Sequence, residues 1–93
     1  MGKIRKGRDI DSALCKKGFH REIDGDHLWY TLISSNVKTK ISHGMMGHDI
    51  GPELQGLIAK QLHLTKRQFS YLIDCSLDAE GYREILRNAG FDV

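Results

Sequence analysis

Five histidines, His20, His27, His43, His48 and His63, are the residues of this chain able to take and return a proton near neutral pH. His27 is the sharpest candidate. It follows Asp24-Gly25-Asp26, in which Asp24-Gly25 is a tight-turn dipeptide, and it opens the strand-like run HLWYTLI. At the turn end of a central strand, the sheet holds the ring while solvent still reaches it. Asp26 precedes it and Asp24 is close by, and either carboxylate could orient the ring and raise its pKa. The plainer alternative is a histidine that only caps the turn of an amphipathic strand. Trp29 shares its strand face by alternation and can stack a base, and Lys38 and Lys40 can hold phosphates.

Other chemistries find little support. The histidines form no close pair on a helix face, and His43-x4-His48 lies in a glycine loop beside Asp49. Cys15 and Cys75 are far apart and match no metal spacing. There is no GxSxG, Walker loop or HExxH, so neither metal nor cofactor is expected. Cys15 is predicted to be buried in a helix, a poor place for a nucleophile. Without a signal peptide, both cysteines are expected to be reduced and buried, and the chain cytoplasmic. No apolar run approaches the roughly 20 residues of a membrane helix.

The net charge of +2 is unevenly spread. Residues 1–40 hold nine Lys/Arg against five Asp/Glu, and residues 41–93 hold five against seven. A basic first half is the electrostatic footprint expected for a polyanion such as RNA, or simply a solvated face and terminus.

The 93 residues are expected to form a single α+β domain. A first helix over 9–17 carries Ile10, Ala13 and Leu14 on one face, with Asp9 or Asp11 as its cap and Gly18 as its stop. Strands 19–23, 27–33 and 37–42 follow as a three-stranded antiparallel meander. Leu28, Tyr30, Leu32, Val37 and Ile41 are expected to face the helices, leaving His27, Trp29, Lys38 and Lys40 on the open side. After the loop HGMMGHDIG, whose Met45 and Met46 are expected as buried anchors, a helix begins near Pro52 with a stripe of Leu54, Leu57, Ile58 and Leu62. Thr65 and Gln68 form a capping box for the next helix, which carries Phe69, Leu72 and Ile73. Asp78 caps a last helix with Tyr82, Ile85, Leu86 and Ala89 inside and Gly90 at its end. The order is α-β-β-β-α-α-α, with helices on one face of the sheet.

These stretches together resemble the HicA-type toxins. The matching residues are Lys16-Lys17-Gly18-Phe19, then Gly25-Asp26-His27, then Tyr30; a third strand ending in His43; and a closing helix with Ile85-Leu86, Ala89 and Gly90. The resemblance implies a core over 1–43 like the double-stranded-RNA-binding domain, with 52–90 as C-terminal helices. It also implies metal-independent cleavage of messenger RNA, by a toxin held in check by a HicB-like antitoxin protein. The family's catalytic histidine carries over to His27. Asp26 stands where the family motif has serine, and residues 48–77 have no counterpart in the minimal family.

The expected site is therefore His27 as general acid/base with His43 as a candidate second proton donor. Asp26 would orient His27, and Lys16, Lys17, Arg21, Trp29, Lys38 and Lys40 would hold RNA. Two alternatives use the same fold: a non-catalytic RNA-binding module, and an interaction domain whose helices at 52–74 dock a protein partner.

Overall fold

The computed structural model describes residues 4–33, 35–74 and 76–93. Lys3 of the basic opening, Ser34 of the second turn and Cys75 lie outside them, so the expectation of a buried, reduced Cys75 does too. The chain is α+β. Its central feature is an antiparallel sheet of β2 (Phe19–Asp24), β3 (His27–Leu32) and β4 (Lys38–Ser42) in the order β2-β3-β4. The helices are α1 (Gly7–Lys16), α2 (Pro52–Gln61), α3 (Lys66–Ile73) and α4 (Ala79–Asn88).

Alternation along the strands decides which face is covered. Phe19, Leu28, Tyr30, Leu32, Val37, Thr39 and Ile41 are buried. All but Thr39 join Ile10 and Leu14 of α1, Ile58 and Leu62 of α2, Phe69 and Leu72 of α3, and Tyr82 and Leu86 of α4 in one apolar core. The Tyr82 ring stacks on Phe19 at 5.8 Å between centroids, and its hydroxyl donates to the Leu62 carbonyl at 2.9 Å. The Tyr30 hydroxyl donates to Asp11 of α1 at 2.7 Å, tying the middle of the sheet to that helix.

α1 starts two residues earlier than the periodicity suggested and carries no side-chain cap. Backbone carbonyls do that work instead: the Gly7 N–H donates to His48 and the Arg8 N–H to Met46, at 3.1 and 3.0 Å. The loop comes so close that a Cβ at Gly7 would overlap the Met45 carbonyl oxygen. Asp9 and Asp11 are thereby released from capping, and Asp11 turns to Tyr30 and Arg21. Met45 and Met46 are half-buried against the core.

A second ladder has no periodic signal in the sequence. β1 (Arg5–Lys6) pairs antiparallel with β5 (Asp49–Ile50), and Ile50 is fully buried. Arg5 is buried as well, its guanidinium donating to both carboxylate oxygens of Asp74, at 2.7 and 3.2 Å. Thr65 and Gln68 form the reciprocal capping box, and Asp78 accepts from the Gly81 N–H. The stripe of α2 is rotated from the expected one: Leu57 is exposed, while Gln55 is buried with its amide donating to the Ile50 carbonyl at 2.8 Å. Ala89, expected inside α4, is exposed. Among the described residues no helix is long and apolar enough to cross a membrane.

Burial first, then the Asp11 hydrogen bond and charge, push the Tyr30 phenol well above its ordinary range. The unfolded chain loses that proton near pH 10 while the folded chain keeps it. This contribution to stability is present below pH 10 and is lost as the pH rises further. Tyr30→Phe is expected to cost about 1–2 kcal/mol at neutral pH and to flatten the alkaline loss. Urea unfolding of both chains at pH 7 and above pH 10 checks this, and an unchanged alkaline slope would show that Tyr30 is not its source.

Candidate nucleic-acid interface

The uncovered sheet face is a grid whose rows follow from the strand pairing. His27 lies opposite Asp24 on β2 and Ser42 on β4; Trp29 lies opposite Glu22 and Lys40; Thr31 lies opposite His20 and Lys38. Side chains directly opposite share a face, so these nine residues occupy the face away from the core. Trp29, half-buried, carries the Lys38 ammonium 5.5 Å and the Lys40 ammonium 5.3 Å from its ring centroid. The face is electrically divided. Glu22 and Asp24 on β2 make one margin acidic, and Lys38 and Lys40 on β4 make the other basic.

His27 is exposed at the end of β3, and its ring makes no hydrogen bond among the described residues. The carboxylate across the ladder from it is Asp24. Asp26 sits in the turn and lines a shallow hollow with Ile23, Gly25, Ser42, His43 and Gly44. The His43 N–H donates to the Asp26 carbonyl at 2.6 Å and closes the end of the ladder. His43 therefore comes together with Asp26 at the mouth of the hairpin, and His27 does not line that hollow.

The other expected RNA contacts are dispersed. Arg21 follows Phe19 by two on the helix side of β2 and pairs with Asp11, its Nη1 donating to both carboxylate oxygens at 2.9 and 3.0 Å. Lys17 is buried, and its ammonium donates to the Leu77 carbonyl at 2.7 Å, so it holds the chain before α4 rather than a phosphate. Lys16 is exposed on α1 beside Asp9, Ser12 and Asp49, in a groove that none of the open-face residues lines. Of the six expected cation and aromatic contacts, Trp29, Lys38 and Lys40 are brought together and Lys16, Lys17 and Arg21 are not.

Cys15 is exposed, contrary to the expectation of burial, because it lies off the Ile10-Ala13-Leu14 stripe. Partial burial of the sulfur, and then the Asp11 carboxylate, push its thiol up, so it stays protonated and weakly nucleophilic. Among the described residues no three of His, Cys, Asp and Glu come together to hold a metal ion.

Sequence reasoning passed over His20 and Glu22 as members of the open face and weighed Asp24 only as a partner of His27, although alternation in FHREID places all three there. It also missed Asn36, Gln61 and His63, which line a groove with Trp29, Lys38, Thr39 and Lys40. No local pattern marks them, because α2 and the turn after it reach β4 only in the folded chain.

No family model, no curated protein and no solved structure matches this chain. The likeness to HicA-type toxins rests on the motif residues quoted above.

Burial separates the lysines by role. Lys17→Met leaves a carbonyl without its donor and is expected to cost about 1–3 kcal/mol. Lys38→Met and Lys40→Met are each expected to cost less than about 1 kcal/mol. Urea midpoints of the three variants measure this; equal losses at all three would mean that the open-face lysines are structural.

Proposed function

We propose that this chain binds single-stranded RNA on the open face of its sheet and cleaves it without a metal ion, using His27 as general base. The observation that carries the reading is the Trp29 ring flanked by the Lys38 and Lys40 ammonium groups, one row from an exposed His27. An aromatic face stacks a base of any identity, and the flexible lysine heads can move from the ring to the adjoining phosphates. The resemblance of the residues around His27 to the HicA motif supports the chemical step.

In that step, neutral His27 removes the proton of a ribose 2′-hydroxyl. The oxygen attacks the adjacent phosphorus, the bond to the 5′-oxygen breaks, the leaving oxygen takes a proton from water, and the hydroxide so formed takes the proton from His27 and restores the base. The products are a 2′,3′-cyclic phosphate and a 5′-hydroxyl. Lys40, in the neighbouring row, stabilises the charge that develops on the phosphoryl oxygens. His43 sits with Asp26 at the hairpin mouth, outside the row of His27 and Ser42, and in the proposed reaction protonation of the leaving group is assigned to water. A HicB-like antitoxin would silence the protein by covering His27 and Trp29. One observation favours the same binding without cleavage: among the described residues the His27 ring has no hydrogen-bond partner that would fix its orientation.

Incubating end-labelled mixed-sequence RNA with the purified chain in excess chelator, beside His27→Ala and Trp29→Ala, tests both parts. Cleavage that falls by about 10²-fold or more in His27→Ala is expected, with 2′,3′-cyclic phosphate ends. Trp29→Ala is expected to weaken retention of RNA by about tenfold or more. Retention without cutting by the wild type would reduce the protein to a binding module. If RNA is not retained at low salt either, the whole reading fails.

A further inference from the structure

The groove beside β4 offers a way to choose among bases. Among the described residues β4 is an edge strand, bonded to β3 alone. The Leu32 N–H donates to the Val37 carbonyl and the His43 N–H to the Asp26 carbonyl, at 2.8 and 2.6 Å, which sets the alternation of the ladder. The N–H and C=O groups of Lys38 and Lys40 consequently point away from β3, toward the groove. The groove is about 330 Å³ and is lined by Trp29, Asn36, Lys38, Thr39, Lys40, Gln61 and His63. His63 is held as a wall: its backbone lies in the left-handed region at φ 63°, and its ring packs at a tilt of 46° against Phe91, 4.4 Å between centroids.

Gln61, at the last position of α2, is the polar head beside this opening, and half of its amide is committed. The Thr39 hydroxyl, buried beneath β4, donates to Gln61 Oε1. The carbonyl end of the amide is therefore tied to the fold, and the NH2 end is left to donate. A free glutamine can both donate and accept, and so can pair with the amine and ring nitrogen of adenine. With Thr39 holding the oxygen end, the amide plane is fixed and Gln61 meets the opening with its NH2 group as donor. It favours a base with an oxygen at the edge position it meets, O4 of uracil or O6 of guanine, over one with an amine there, N4 of cytosine or N6 of adenine.

The charge division of the sheet sends RNA to this side. Glu22 and Asp24 repel phosphates along β2, whereas Lys38 and Lys40 attract them along β4.

We infer that the groove between β4 and the C-terminal end of α2 is a base-selective subsite, in which Gln61, positioned by Thr39, selects a keto base in a single-stranded RNA. This rests on the proposal that the open face binds RNA, and it adds the path of the strand and the class of base.

Uracil and cytosine are nearly the same shape and differ at position 4, where uracil has an oxygen and cytosine an amine. Fluorescence-labelled eight-residue oligouridylate and oligocytidylate, titrated with the full chain at fixed low salt, isolate that difference. Oligouridylate is expected to bind at least about fivefold more tightly. Gln61→Leu removes the donor and is expected to bring the ratio toward one. Thr39→Val frees the Gln61 carbonyl without changing the side-chain volume and is expected to lower the ratio too, with urea unfolding confirming that the core is intact. Equal binding of both oligomers by the wild type would overturn the subsite and leave RNA binding standing. A uracil preference that survives in Gln61→Leu would also overturn it. Binding of neither oligomer would overturn the RNA-binding proposal and the subsite with it.

Discussion

The hydrogen bond from Tyr30 to Asp11 is the contact on which the division of the sheet into two faces depends. Tyr30 is fully buried at the middle of the central strand, and its hydroxyl has to find an acceptor there. Asp11 supplies one from α1, and the same carboxylate receives the Arg21 guanidinium from β2. One acidic side chain thus joins helix, central strand and edge strand. A slip of one residue in β3 would turn Tyr30 out and Trp29 in, and would place an indole where the core expects a phenol. Holding Tyr30 inward is what keeps His27, Trp29 and the two lysines outward.

The parts of this fold legible in the sequence are those whose signals are local. The tight turn after the first strand of the meander, the alternation of HLWYTLI and KTKIS, and the Thr65 and Asp78 caps each depend on neighbours within a few residues; each forms, the turn one residue later than the Asp24-Gly25 dipeptide suggested, at Gly25-Asp26. What escaped depends on distant partners. Arg5 reads as one more cation in a basic opening, yet it is buried against Asp74. Lys17 reads as a phosphate ligand and instead caps the Leu77 carbonyl. The start of α1 is set by the carbonyls of residues 46 and 48, almost forty residues away, so no capping residue announces it. Charge counted along the chain cannot tell a solvated lysine from one enclosed by a later helix.

The same distinction governs the candidate site. The open-face residues of β3 and β4 follow from period-two alternation alone, and Trp29, Lys38 and Lys40 were legible for that reason. The acidic margin was legible by the same rule but is invisible when charges are summed over residues 1–40, which hold a clear basic excess. Folding redistributes that excess. Arg5, Lys17 and Arg21 are drawn to Asp74, Leu77 and Asp11, and the positive charge left on the sheet is concentrated on β4.

This concentration constrains how a phosphate could meet His27. The imidazole stands between Asp24 on one side and Ser42 on the other. A polyanion avoids the Asp24 side, where Glu22 lies one row on, and approaches across Ser42 and Lys40. In the proposed reaction the ring nitrogen that takes the proton therefore faces β4, and the other nitrogen faces β2. Asp24 is then the carboxylate placed to receive that second N–H as the ring gains charge, a role the sequence divides between Asp24 and Asp26. In that proposed reaction an acidic margin that repels phosphates over half of the sheet would still serve the histidine at its border, because a carboxylate behind the base stabilises the imidazolium that forms only after the proton has moved.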